Sequence, residues 1–145
     1  MKLAITGHRP ARIRGHKREI ENWIQNQVSE LSPNICISGM AQGVDQMFAN
    51  CAINNNIKLW CAYAFRGQES RYTEKYDYYA DKVIYTSEDY GNHCYFVRDR
   101  YMVDNCDCLL AVWDGIETGG TWYTINYAKK KGIPIIYYMI GDNNE

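Results

Sequence analysis

The stretch Asn34-Ile35-Cys36-Ile37-Ser38-Gly39-Met40-Ala41-Gln42-Gly43-Val44-Asp45 decides the fold. Its first half, Ile35 to Ser38, is a short apolar run of the kind a strand buried on both faces requires. Gly39 and Gly43 then let the backbone turn sharply and come close to other groups. Behind them Val44, Met47, Phe48 and Cys51 recur at helical spacing, as far as about Asn54. A helix that starts behind such a loop presents free N–H groups and a partial positive charge.

The same unit recurs outward in both directions. Lys2 to Thr6 reads as a first strand, Gly7-His8-Arg9-Pro10 as its loop, and His16 to Leu31 as a helix with Ile20, Trp23, Ile24, Gln27, Val28 and Leu31 on one face. Downstream come a strand over Ile57 to Phe65, a helix around Glu69 to Ala80, a strand over Lys82 to Thr86 and a helix over His93 to Asn105. Asp107 to Trp113 is a nearly continuous apolar strand, followed by the loop Asp114 to Gly119 and a helix from Gly120 to Lys131 that Gly132 ends. Ile133 to Ile140 is a sixth strand before a polar tail, Gly141 to Glu145. Alternating strands and helices imply an α/β fold: a Rossmann-like three-layer sandwich with a mostly parallel sheet of about six strands. Its 145 residues suit a single domain over 1–145.

Composition narrows the function classes. No apolar stretch approaches the length of a membrane span, and the chain enters a strand at once, so a cytoplasmic protein with no membrane partner is expected. Cys36, Cys51, Cys61, Cys94 and Cys108 fall inside strands or helices, which fits reduced, packed thiols; Cys106 adds a C-x-C pair. His8, His16 and His93 do not supply metal-finger spacing, and no metal or cofactor is expected. The net charge of −1 argues against a general coat for nucleic acid, so nucleic acid is expected to be an unlikely partner. Thirteen tyrosines and four tryptophans serve either as packing or as a ring-stacking pocket, and both uses are open at different positions.

In a doubly wound sheet, ligands bind beyond the carboxyl ends of the strands. The loops Gly7–Pro10, Gly39–Asp45 and Asp114–Thr121 all follow strands and so converge on one edge. Gly7, His8 and Arg9 offer a basic end, with Pro10 holding Arg9 near the strand; Arg12, Arg14 and Arg18 read as surface. Ser38, Gly39, Gln42 and Gly43 offer backbone to an anion. Asp45 has three roles open to it: helix cap, acceptor from a sugar hydroxyl, or base. Gly119, Gly120 and Thr121 open the last helix, and Asp114 and Glu117 lie in the loop before it. Arg98 shares a helix face with Met102 and either holds a phosphate or pairs with an acid.

Ser38-Gly39-Met40-Ala41-Gln42-Gly43-Val44-Asp45 resembles the S-G-x-A-x-G-[IV]-D motif of the DNA-processing protein DprA. With Thr6-Gly7-His8-Arg9-Pro10 before it and Gly119-Gly120-Thr121 after it, almost the whole chain looks like the YpsA-like branch of the SLOG superfamily of Rossmann-like proteins. The superfamily includes the Lonely Guy (LOG) phosphoribohydrolases, which cleave a base from a nucleoside monophosphate. Arg98 with Met102, and Gly120-Thr121, match parts of their pattern; Thr124 stands where that pattern has its catalytic glutamate, and its proline is missing. The resemblance implies a nucleotide pocket, a homo-oligomer and, by analogy, a role in nucleotide signalling or defence.

The function expected is binding of a nucleotide-like small molecule through these loops, with Trp113 or Trp122 stacking the base. The alternative is an N-glycosidic hydrolase, for which Asp45, Asp114, Glu117 or Glu69 would have to supply the carboxylate.

Overall fold

A computed structural model describes residues 1–68 and 70–141. Strands β1 (Lys2–Thr6), β2 (Ile35–Ser38), β3 (Lys58–Tyr63), β4 (Lys82–Tyr85), β5 (Cys108–Trp113) and β6 (Ile135–Met139) form one sheet in the order β4-β3-β2-β1-β5-β6. Every neighbouring pair is parallel. Five helices flank it: α1 (Lys17–Leu31), α2 (Val44–Asn54), α3 (Ser70–Tyr79), α4 (Cys94–Asp104) and α5 (Gly119–Lys131). The expected helix start at Glu69 and the tail from Asp142 lie outside the described residues.

Alternation along each strand divides the core in two. Leu3, Ile5, Leu110 and Val112 join Ile20, Ile24, Phe48 and Tyr76 from α1, α2 and α3 on one face. Ala4 and Leu109 join Met102, Val103 and Ala128 from α4 and α5 on the other. Helix α1 presents Ile20, Ile24 and Val28 at intervals of four, so one apolar stripe covers the sheet. Ser32 closes it in the left-handed region, φ 45°, with its N–H on the Val28 carbonyl. Helix α5 ends on Gly132, and Lys129, Lys130 and Lys131 complement the negative end of its dipole.

Element boundaries move where pairing partners run out. The strand expected over 57–65 pairs only as far as Tyr63, opposite Tyr85 at the end of β4. The sixth strand shortens to Ile135–Met139 because the Ile133 N–H closes α5 on the Ala128 carbonyl. The loop after β1 contains a 3-10 turn over Pro10–Arg12, which the sequence reading leaves as loop; Ile13, fully buried, anchors it to the core. All six cysteines are buried and free. Among the described residues no helix is long and apolar enough to cross a membrane.

From β1 the chain winds outward through β2, β3 and β4, then returns to the other side of β1 to build β5 and β6. The winding reverses between β1 and β5, where a doubly wound sheet opens a crevice at its strand ends.

Candidate functional site

The first glycine loop is consumed by its own hydrogen bonds. Ser38 Oγ donates to the Asp45 carbonyl at 2.7 Å and accepts the Met40 N–H at 3.2 Å. Asp45 Oδ2 accepts the Ala41 N–H at 3.2 Å. The Gly39 carbonyl receives Gln68 Nε2 at 3.0 Å and Arg98 Nη1 at 2.5 Å. The start of α2 is closed as well: the Val44 N–H reaches the His8 carbonyl at 3.3 Å. Gly43, at φ +99°, allows this approach, since a Cβ there would stand 2.5 Å from that carbonyl oxygen. The motif therefore interlocks β1, β2 and α2, and places Asp45 beside Arg98.

A cleft of about 480 Å³ opens at the β1/β5 crevice, a size found in small-molecule sites. Thr6, Gly7, His8, Arg9 and Arg12 line it from the β1 loop, Ala41 and Asp45 from the β2 loop and α2, and Thr118, Gly119, Gly120, Thr121 and Thr124 from the start of α5. Asn92, Tyr95, Phe96, Arg98, Asp99 and Met102 complete it from α4 and the residue before its cap. No side chain caps the N-terminus of α5. Thr124, on the next turn, donates its hydroxyl to the Gly120 carbonyl at 2.9 Å.

The floor holds one guanidinium and two carboxyls, all buried. Arg98 Nε donates to Asp99 Oδ1 at 2.8 Å. Burial works against the charge on Arg98, but Asp99 and Asp45 hold it protonated. The Asp45 carboxyl is pushed up from 3.8 to about 6, chiefly by burial, with Asp99 adding to the rise against the pull of Arg98, the Ala41 N–H and Arg9. Between these two values the folded chain keeps a proton that the unfolded chain releases. Asp45 thus contributes stability that is present below pH 3.8 and lost as the pH rises through about 6. Urea unfolding of the wild type and Asp45→Asn should show the variant gaining on the wild type between pH 4 and pH 7. A stability difference independent of pH would disprove the shift.

At the basic end, His8 joins three strand-end segments. The Asp114 N–H donates to His8 Nε2 at 3.3 Å, and His8 Nδ1 lies 3.5 Å from Thr121 Oγ1. Burial lowers the His8 pKa, against the pull of Asp114, and a neutral ring that accepts at Nε2 carries its proton on Nδ1, facing Thr121. Asp114 itself pairs with Arg12 and accepts the Ile116 N–H at 3.0 Å. Burial opposes its charge, but Ile116, Arg12 and His8 together hold the carboxyl below its ordinary range.

The structure brings Gly7, His8, Arg9, Asp45, Arg98, Gly119, Gly120 and Thr121 to the cleft. Ser38, Gly39, Gln42, Gly43, Asp114 and Glu117 do not line it; the first four belong to the interlocked loop, Asp114 turns to Arg12, and Glu117 is exposed. Glu69 lies outside the described residues. Arg12, read as surface, lines the cleft. The expected stacking residues need correction: Trp113 and Trp122 stack on each other, with centroids 5.5 Å apart, and Trp113 Nε1 donates to the Ile116 carbonyl. The aromatic residues that line the cleft are Tyr95 and Phe96. Their signal was their place in the first turn of α4, three and two residues before Arg98. Asp99 and Gln68 were also missed; nothing in local spacing marks Gln68, which reaches the Gly39 carbonyl from the far end of the β3 loop.

No family model matches the chain, and no curated protein matches it in sequence. Solved structures do share its fold. DNA processing protein A (DprA) from Streptococcus pneumoniae superposes over 99% of this chain with a TM-score of 0.74 and 18% identity; the chain spans 52% of that protein. DprA from Helicobacter pylori, whose structure concerns its single-stranded DNA binding mode, gives a TM-score of 0.72 and 18% identity, over 100% of this chain and 67% of that one. The molybdenum cofactor carrier protein of Chlamydomonas reinhardtii gives 0.66 and 16%, over 94% and 74%. The chain thus shares the Rossmann-like fold of these proteins, DprA among them. Within it, neighbours bind small molecules or nucleic acid. The expectation that nucleic acid is an unlikely partner is corrected by the DprA neighbours. A net charge averages the whole surface and says nothing of how charge is arranged at one edge.

Proposed function

We propose that the cleft binds a nucleotide or nucleotide-derived small molecule, as a sensor or sequestering module. The observation that carries this reading is the start of α5: Thr118 to Thr121 line the cleft, and no side chain caps the helix there. Such a start favours a phosphate. Arg9 and Arg98 line the same cleft, and Tyr95 and Phe96 offer ring faces to a base. Binding is favoured over hydrolysis because the position of the LOG glutamate holds Thr124, whose hydroxyl is committed to Gly120. Isothermal titration calorimetry with the 5′-monophosphates of adenosine, guanosine, cytidine and uridine tests this, with chromatography for released base. Saturable binding without base release is expected, lost in Gly120→Asp, which sets a carboxylate at the helix start. No binding across the panel overturns the reading.

Single-stranded nucleic acid is a second reading, favoured by the fold shared with DprA from Helicobacter pylori. It requires an anisotropy rise with a labelled single-stranded oligonucleotide that falls steeply with salt. It also requires that Arg9→Glu weaken that binding.

A further inference from the structure

We infer that the cleft is built to receive a ribose, with Asp45 and Asp99 taking its vicinal 2′- and 3′-hydroxyls, so that the site selects ribonucleotides over 2′-deoxyribonucleotides. This rests on the nucleotide reading above and specifies its ligand class.

Asp45 and Asp99 both line the cleft, and both residues are only 8% exposed. Each spends one oxygen within the protein: Asp45 Oδ2 on the Ala41 N–H at 3.2 Å, Asp99 Oδ1 on Arg98 Nε at 2.8 Å. Among the described residues, no hydrogen bond reaches Asp45 Oδ1 or Asp99 Oδ2. Buried carboxylate oxygens ordinarily find donors, because leaving them bare is costly. Arg98 acts on both acids and Arg9 on Asp45 as well, while Arg98 also donates to the Gly39 carbonyl.

A ligand that completes this floor must bring donors without further negative charge. A phosphate is repelled here and is better placed at the uncapped start of α5. Two adjacent hydroxyls supply one donor to each waiting oxygen. A 2′-deoxyribose supplies one donor only, and leaves one carboxylate oxygen both shielded from water and unpaired. The ring wall of Tyr95 and Phe96 belongs to the same cleft, which fits a ribose set between a base and a phosphate.

The test is calorimetric titration of the wild-type protein with AMP, 2′-deoxy-AMP and 3′-deoxy-AMP, repeated for the guanosine, cytidine and uridine series. The ribonucleotide should bind roughly 10- to 100-fold more tightly than either deoxy form. In Asp45→Asn and Asp99→Asn that ratio should shrink toward unity. Equal binding of ribo and deoxy forms, or tighter binding of the deoxy form, overturns this inference and leaves the nucleotide reading standing. No binding of any member overturns both. If either variant fails to fold, the wild-type comparison decides alone.

Discussion

Replacing Arg98 by alanine should destabilise the fold by about 3–5 kcal/mol, the cost of stripping a buried ion pair of one partner. Asp45 and Asp99 would remain at 8% exposure with no countercharge in contact, and the Gly39 carbonyl would lose one of its two donors. Arg98→Lys should recover only part of the loss. An ammonium cannot hold the Asp99 carboxylate and the Gly39 carbonyl from two nitrogens of one rigid plane, as Nε and Nη1 do. Urea unfolding at pH 7 measures both variants. A loss below about 1 kcal/mol for Arg98→Ala would show that the ion pair adds little to the fold.

Gly43→Ala should cost about 3 kcal/mol. Two causes act together. The φ of +99° lies where side-chain-bearing residues are strained, and the new methyl would stand 2.5 Å from the His8 carbonyl oxygen and 3.0 Å from the Arg9 Cα. Both obstacles are backbone, held by the Val44 N–H bond on one side and by the 3-10 turn on the other. Gly120→Ala is the control: no atom lies within 4 Å of the added Cβ. It should leave stability unchanged or slightly raised, while narrowing the cleft beside the helix start. Thermal unfolding of both variants separates the two glycine loops. If both substitutions are equally tolerated, the first loop is not the interlock described here.

These two glycines show how far local reading reaches. Both followed apolar strands and preceded amphipathic helices, so both looked like ligand-facing loops. Gly43 turned inward because Ser38, Asp45 and the His8 carbonyl take up the donors and acceptors around it. Gly120 opens on the cleft, with nothing within 4 Å of where its Cβ would stand. Ser38 and Asp45 lie close to Gly43 in the chain, but the His8 carbonyl that completes the lock comes from another strand end. The aromatics show the same limit. Trp113 sits at a strand end, where a stacking residue belongs, yet its indole is covered by Trp122 one turn into the next helix.

The sequence by itself determined the α/β alternation, because β-strand burial and helical spacing are properties of runs of five to fifteen neighbours, and the strand-end address of the site followed from them. It also carried the likeness to the fold of DprA, through the motif Ser38 to Asp45. Tertiary structure alone decided the strand order β4-β3-β2-β1-β5-β6 and the crevice that this order opens between β1 and β5. It alone brought Asp45 from one helix against Arg98 and Asp99 from another. The physical reason is range. Hydrophobic periodicity is written between neighbours, whereas a buried charge cluster depends on which helix ends a parallel sheet stacks side by side.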